Sequence, residues 1–206
     1  MNTLAARLMG LFLLGLVRLL TGAQARWLGC PPKAEQRIYF ANHQSHADLV
    51  MIWAALPSEL RGITRPIAAR DYWTAGRLRE WITTAVFRAV YVERERKGDE
   101  DPLQPLIHAL EGGDSLILFP EGTRGHAADP QPFKAGLYNL AQRFPDVVLV
   151  PAWIQNVQRV MPKGEVVPVP VLCSVTFGEP LRLQPGEDRR AFLDRARLAV
   201  MALRER

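Results

Sequence analysis

The chain alternates short runs of β-branched and aromatic residues with longer stretches of helical character, and this alternation limits the folds open to it. Strand-like runs lie at 36–41, 63–69, 86–92, 115–119, 147–154 and 169–177. Helical stretches lie at about 48–56, 74–85, 102–113, 134–144 and from about Asp188 onward. Strands separated by helices form a mostly parallel sheet with helices on its faces. We therefore predict a single α/β domain with a mostly parallel, mixed sheet, in which Pro66 marks an edge strand or a strand end.

The first thirty residues are predicted to form an amphipathic helical segment, ahead of a domain that spans 31–206. The sequence is apolar from Leu8 to Val17, and Arg18 then interrupts it. Ten residues at 1.5 Å each span only about half of a ~30 Å hydrocarbon core, which argues against a membrane-spanning helix. Arg7 and Arg18 return to nearly the same helical face, which favours a helix lying in the membrane interface. Two alternatives stay open: a signal peptide, since residues 23–25 read Ala-Gln-Ala, and a helix that packs on the domain's own core.

The formal net charge of +5 favours an anionic partner. Nucleic acid, a membrane surface and a phosphorylated substrate all satisfy that condition. The arginines are spread among helices without an aromatic platform, which disfavours nucleic acid. Cys30 and Cys173 stand far apart and outside any C-x-x-C pattern, so two buried thiols are expected.

The stretch NHQSHAD, residues 42–48, follows the first strand-like run and has three interpretations. As a metal site, it would use His43 and His46, which share a helical face. Asp48 would then lie about 200° from His46, and no later cluster offers a third ligand. The metal interpretation is therefore weakly supported.

An acid/base pair requires a break between loop and helix within this stretch. If His43 lies in the loop, with Ser45 as the N-cap and Asp48 in the first helical turn, the carboxylate can reach an imidazole nitrogen. It would then fix the tautomer and leave the other nitrogen free to take a proton. The third interpretation, polar side chains that satisfy backbone groups at a strand end, is equally compatible with these residues taken alone.

A second motif, FPEGTR at residues 119–124, directly follows the strand-like run 115–119. A strand, a tight glycine-containing turn and then an arginine form a common arrangement for holding an anion at the carboxyl end of a strand. The guanidinium of Arg124 offers a bidentate fork that suits phosphate. This motif favours the acid/base interpretation of NHQSHAD.

Together the two motifs resemble those of the glycerolipid acyltransferases related to bacterial 1-acyl-glycerol-3-phosphate acyltransferase, over about residues 36–178. Three weaker blocks agree with this resemblance: AVYVERE at 89–95, FKAG at 133–136 and VPAW at 150–153. The resemblance implies transfer of a fatty acyl group from acyl-CoA or acyl carrier protein to the hydroxyl of a lysophospholipid. The favoured acceptor is 1-acyl-glycerol-3-phosphate, and the product would be phosphatidic acid. No metal or further cofactor is implied.

The resemblance also implies roles for individual residues. His43 would be the general base and Asp48 its orienting partner. The predicted phosphate-binding set is Arg70, Arg94, Glu121, Gly122, Thr123, Arg124 and Lys134, with Glu121 and Gly122 shaping the turn that carries Arg124. The expected partners are membrane lipids, and the expected location is peripheral, on the cytoplasmic face of the membrane.

Three departures from the family pattern bear on the acceptor headgroup. Glu93 stands where many members carry aspartate, Arg70 stands where a lysine is usual, and Gly125 stands where serine is frequent. They leave glycerol-3-phosphate or another lysolipid as alternative acceptors. A non-catalytic, membrane lipid-binding protein is the alternative from a different functional class.

Overall fold

The computed structural model describes residues 3–22, 24–45, 47–93, 101–125, 127, 129–156 and 172–204. Within these residues, seven strands form one sheet: β1 Gln24–Trp27, β2 Arg37–Ala41, β3 Thr64–Ala69, β4 Val90–Val92, β5 Ser115–Leu118, β6 Val148–Gln155 and β7 Ser174–Phe177. Their spatial order is β1-β7-β6-β2-β5-β3-β4. All neighbouring strands are parallel except β6 and β7. The predicted mostly parallel, mixed sheet is confirmed.

Helices cover both faces of the sheet. The described helices are α1 Thr3–Thr21, α2 Asp48–Ala55, α3 Ser58–Ile63, α4 Arg70–Trp73, α5 Arg77–Trp81, α6 Gln104–Glu111, α7 Gly136–Arg143 and α8 Arg189–Met201. Alternate residues of β2 divide between two cores, because successive side chains of a strand point to opposite faces. Tyr39 packs with residues of α1, α2 and α3, whereas Ile38 and Phe40 pack with residues of α6, α7 and α8.

The strand order brings the two sequence motifs to one edge of the sheet. β2 and β5 are parallel neighbours, with Phe40 opposite Leu118 near their carboxyl ends. NHQSHAD follows the first of these strands and FPEGTR follows the second. β3, which pairs with β5, and β4, which pairs with β3, end at the same edge. Side chains from four loops can therefore meet there, as is usual for ligand sites of open α/β sheets.

Several predicted boundaries differ from the observed ones. The predicted strand 86–92 is reduced to β4, because α5 continues into a π-helical turn, Ile82–Val86, and Arg88 has a φ of 52°.

The prediction of an edge position for Pro66 is wrong, because β3 lies between β5 and β4. β3 pairs with β5 through Thr64–Pro66 and with β4 through Ile67–Ala69. Pro66 is therefore the last residue of β3 that pairs with β5, directly before the residues that pair with β4. β1 lies ahead of residue 31, so the sheet includes a strand from the predicted N-terminal segment.

Helix α1 is 19 residues long, and by length and composition alone it could cross a membrane. The ten-residue apolar run therefore underestimates the apolar length of this helix. A narrow stripe that includes Leu14 packs on the domain, where a Cβ at Gly10 would lie 3.4 Å from Val86. The opposite side of the helix is open to solvent, with Leu11 65% exposed and Leu19 80% exposed. The helix thus packs on the core along one side and presents an apolar surface on the other.

Candidate active site

His43 and Asp48 meet directly after β2. The distance from His43 Nδ1 to Asp48 Oδ2 is 2.9 Å. The backbone N–H groups of Gln44 and Ser45 donate to the same carboxylate oxygen, at 2.6 and 2.8 Å. The loop thus closes around a buried Asp48 side chain, which is 2% exposed. An ionised carboxylate only accepts hydrogen bonds, so Nδ1 carries the proton and Nε2 is free to take another.

The local turn differs from the predicted one in its cap. Ala47 precedes α2 and contributes no side-chain cap, so the prediction of Ser45 as N-cap is wrong. Ser45 Oγ accepts from the N–H of Ala47 at 3.2 Å instead. Asp48, the first residue of the helix, is the side chain that turns back onto the loop. The predicted loop-to-helix break is present, and it allows His43 and Asp48 to meet. His46 lies outside the described residues.

Asn42 fixes the loop on its other side. Its side-chain amide donates to the carbonyl of Ile154 at 3.1 Å and accepts from the Ile154 N–H at 2.8 Å. These two bonds continue the pairing of β2 with β6 by one residue. The strand-end interpretation therefore describes Asn42, while the His43 side chain is left to face the cavity described below.

The FPEGTR turn packs against the imidazole. The rings of Phe119 and His43 are stacked, with centroids 4.3 Å apart and an interplanar angle of 18°. Gly122 has a φ of 71°, a conformation that side chains other than glycine rarely adopt. A Cβ at Gly122 would also lie 2.7 Å from Lys134 Nζ, so the lysine side chain passes directly over the turn. Glycine at this position therefore permits both the turn and the approach of Lys134.

Glu121 lies beneath the same turn. It is 2% exposed, and its two oxygens accept from the backbone N–H groups of His43, at 2.7 Å, and Gln131, at 2.8 Å. Burial raises the pKa of the Glu121 carboxyl, and the two backbone hydrogen bonds oppose that shift. Both oxygens are thus occupied by the backbone, whereas Thr123 of the same motif is exposed at the surface.

A cavity of about 470 Å³ opens beside this loop pair. Its lining includes the polar side chains of His43, Glu93, Arg124 and Lys134. Its walls are mainly apolar and come from both sides of the sheet edge: Leu49, Ile67, Tyr72, Trp73, Val92, Leu103, Leu106, Leu118 and Leu137 are among the lining residues. A mostly apolar cavity with a few converging polar groups is typical of a small-molecule site, and this volume lies in the usual range.

Only some of the predicted phosphate-binding residues line the cavity. Gly122, Arg124 and Lys134 line the cavity. Arg70 lies beside Glu93 at its margin, with 3.0 Å between Arg70 Nε and Glu93 Oε1, and its guanidinium also lies over the ring of Tyr91. Glu121 and Thr123 are placed as described above, and Arg94 lies outside the described residues.

Sequence reasoning did not identify the apolar wall of the cavity or the stacking role of Phe119. The wall is assembled from single residues of separate helices and strands, and no motif marks them. Phe119 stands within a motif that the sequence does show, but its contact with His43 depends on the pairing of β2 with β5. Among the described residues, no group of three or more His, Cys, Asp or Glu side chains is arranged to hold a metal ion.

Comparison with known proteins places this site in a family. The family model described as Acyltransferase matches residues 30–155. The 1-acyl-sn-glycerol-3-phosphate acyltransferase alpha of Homo sapiens is 32% identical over 131 residues, which cover 62% of this chain and 43% of that protein. The lyso-ornithine lipid O-acyltransferase of Brucella abortus (strain 2308) is 27% identical over 118 residues, covering 55% and 38%. The chain thus spans less than half the length of these two curated relatives.

A solved structure shares the fold. The crystal structure of the 1-acyl-sn-glycerophosphate (LPA) acyltransferase PlsC from Thermotoga maritima superposes with a TM-score of 0.70 at 20% sequence identity. The match covers 96% of this chain and 78% of that one. At this identity the likeness concerns the fold, including the helices that flank the sheet.

Proposed function

The chain belongs to the acyltransferase family, and from this membership we propose that it transfers a fatty acyl group from a thioester to the free hydroxyl of a lysophospholipid. One observation carries the proposal: His43, held by Asp48, lines a mainly apolar cavity that Arg124 and Lys134 also line. The proposed acceptor is 1-acyl-glycerol-3-phosphate, which would yield phosphatidic acid. The proposed donor is acyl-CoA or acyl carrier protein.

The reaction needs a base and a defined geometry rather than a covalent enzyme intermediate, because a thioester is already activated. His43 Nε2 takes the proton of the acceptor hydroxyl while the hydroxyl oxygen forms a bond to the thioester carbonyl carbon. The carbon–sulfur bond then breaks, and the imidazolium returns its proton to the departing thiolate. Asp48 holds the required tautomer and stabilises the imidazolium that forms in between.

The acceptor's phosphate fits the two cationic side chains of the cavity. Arg124 and Lys134 both line it, and they approach from the FPEGTR turn and from the segment that leads into α7. A guanidinium can bind two phosphate oxygens at once, whereas an ammonium acts as a point charge. The apolar walls suit an acyl chain. This combination of charge and apolar surface supports an acceptor that carries both a phosphate and a fatty acyl group.

Replacing Arg124 by alanine should chiefly weaken acceptor binding. We expect KM for 1-acyl-glycerol-3-phosphate to rise about 10- to 100-fold, since a hydrogen-bonded charged group contributes about 1.5–3 kcal/mol. The value of kcat should change much less. Steady-state kinetics with the acceptor varied at saturating donor measure both constants. Arg190→Ala, on the exposed side of α8, is the matched control, and an acceptor KM unchanged in Arg124→Ala would remove this residue from the phosphate site.

The exposed face of α1 supports association with a membrane, where both the acceptor and the product reside. Leu8, Leu11 and Phe12 are each about 60% exposed on this helix. Large exposed apolar surfaces mark interaction sites, and an apolar helix face beside basic residues suits a lipid interface. The proposed arrangement is peripheral, on the cytoplasmic face of the bilayer, with α1 lying in the interface.

A charge placed on this face should weaken membrane binding. Burying one leucine contributes about 1.5–3 kcal/mol, so Leu11→Glu should reduce partitioning into phosphatidylglycerol-containing vesicles by about 10-fold or more. Leu198→Glu is the matched control, because Leu198 is 60% exposed on α8. Equal sedimentation of the two variants with vesicles would exclude the exposed face of α1 as the membrane-binding surface. Release of the wild-type protein by alkaline carbonate would distinguish an interfacial helix from a spanning one.

The direct test of the proposed function is a panel of donors and acceptors with the purified protein. Radiolabelled acyl-CoA and acyl carrier protein are each combined with 1-acyl-glycerol-3-phosphate, glycerol-3-phosphate, a neutral lysophospholipid and a lyso-ornithine lipid. The proposal predicts the highest kcat/KM with 1-acyl-glycerol-3-phosphate. Preference for another acceptor would correct the headgroup, whereas binding of lysolipid without any transfer would indicate the non-catalytic alternative.

A further inference from the structure

The carboxylate of Glu121 joins three segments of the chain at a buried position. One oxygen accepts from the N–H of His43 at 2.7 Å, and the other accepts from the N–H of Gln131 at 2.8 Å. The N–H of Gly125 in turn donates to the carbonyl of His43 at 2.8 Å. Both backbone polar groups of His43 are therefore held by the segment 121–125. A Cβ at Gly125 would lie 3.2 Å from Glu121 Oε2, so this segment closes tightly around the carboxylate.

The contacts of His43 are divided between its ring and its backbone. Asp48 holds ring nitrogen Nδ1, and Phe119 covers one face of the ring. Neither contact fixes the position of the main chain from which the ring extends. Glu121 and Gly125 supply that constraint from the neighbouring strand's loop, and no other side-chain bond to the His43 N–H is present in the described part of the chain.

We propose that Glu121 is a positioning residue for the catalytic base rather than a ligand of the acceptor's phosphate; this inference rests on the proposed function. A carboxylate directed at a phosphate would repel it, and both oxygens of this one already accept backbone N–H groups. Its effect on the reaction passes through the main chain of His43. Because displacement of a reacting group by about 1 Å can lower a rate about 100-fold, the constraint should act on kcat.

The chemistry of the site explains why glutamate suits it and glutamine does not. Two N–H donors converge on the side chain from His43 and from Gln131, so two acceptor oxygens are required. A glutamine side chain supplies one oxygen and one NH₂ group. Whichever way the amide is oriented, one backbone N–H would face a donor. Glu121→Gln therefore removes one of the two bonds with almost no change in volume.

The two effects of Glu121→Gln can be separated by kinetics. We expect kcat to fall about 10- to 100-fold while KM for 1-acyl-glycerol-3-phosphate stays within about twofold of wild type. Glu121→Asp keeps the charge but is one methylene shorter and cannot reach both N–H groups, so it should show a smaller fall in kcat and the same KM. Glu111→Gln, at an exposed ion pair with Arg143, is the matched control and should match wild type.

Amide hydrogen exchange tests the same contact without any turnover. In Glu121→Gln the exchange of the His43 or Gln131 N–H should accelerate at least about tenfold, because one of them loses its acceptor. The Ile154 N–H, which Asn42 holds on the other side of β2, should keep its wild-type rate and serves as the internal control.

Each outcome bears on one proposal or the other. A raised acceptor KM with unchanged kcat would return Glu121 to the phosphate site, and wild-type values of both constants would also overturn the inference. If wild-type protein transfers no acyl group, the proposed function fails, and the exchange measurement still decides whether Glu121 holds these N–H groups. Should Glu121→Gln not fold, wild-type kcat in Glu121→Asp overturns the inference, and a lowered kcat with unchanged KM supports it.

Discussion

His43→Ala should reduce kcat/KM for acyl transfer by about 10³- to 10⁴-fold. A positioned general base contributes about 10²–10⁴ to a rate, and the alanine variant also loses the partner that links Asp48 to the reacting atoms. The effect should fall on kcat, because in the proposed mechanism the imidazole takes the proton only as the new bond forms. Transfer of a radiolabelled acyl group from acyl-CoA to 1-acyl-glycerol-3-phosphate, followed under single-turnover conditions, measures the loss at the chemical step.

The fold should tolerate this change. The side chain of His43 is 20% exposed and borders the cavity, so its removal leaves no enclosed void. Thermal unfolding of His43→Ala should therefore stay close to that of wild type. His108→Ala, on the exposed face of α6, is the matched control and should retain full activity. Near-normal turnover in His43→Ala would contradict the proposed mechanism, since no other part of the proposal supplies a base.

The architecture was predictable from the sequence because periodicity and composition are local properties. Each of β2, β5 and β6 appears as a compact apolar run bounded by helical or polar stretches, and buried parallel strands have this form. β1 was missed because its sequence, QARW, is polar and exposed at the sheet edge. Edge strands bury little surface, so they leave a weak pattern.

The meeting of His43 and Asp48 was predictable in part. The separation of His43 and Asp48 excludes a meeting on one continuous helix, and the structure does place the histidine in the loop before α2. The cap assignment failed because propensity favours serine at such positions, whereas here the Asp48 carboxylate accepts from the loop's N–H groups. Here the hydrogen bonds from several N–H groups to one carboxylate outweigh the local preference for serine as the N-cap.

The role inferred for Glu121 was not predictable from the sequence. Its partner, the His43 N–H, lies 78 residues away along the chain and is a backbone group, which carries no side-chain signature. The resemblance placed Glu121 in the phosphate-binding set, with the role of shaping the turn that carries Arg124. Only the pairing of β2 with β5 shows that its carboxylate is directed away from the cavity and toward the main chain of His43.

Asp48→Asn should lower kcat by about 10²- to 10³-fold while preserving the fold. The imidazole and the N–H groups of Gln44 and Ser45 all donate to one oxygen of Asp48, Oδ2. An asparagine that places its oxygen there keeps all three hydrogen bonds, removes the negative charge and puts an NH₂ group in the place of Oδ1. In the proposed mechanism, that charge stabilises the imidazolium that forms on His43. By contrast, Asp48→Ala leaves two partly buried N–H groups without an acceptor, which should lower the free energy of unfolding by at most about 1–3 kcal/mol for each.

A double variant shows whether Asp48 acts only through His43. If it does, adding Asp48→Asn to His43→Ala should cause no further loss of kcat, because there is no imidazolium left to stabilise. Residues that act as a unit show this strong non-additivity, whereas independent effects would multiply. The comparison requires kcat for wild type, both single variants and the double variant under one set of conditions. A double variant slower than His43→Ala by the full factor seen in Asp48→Asn would separate the two residues and leave Asp48 with a different role.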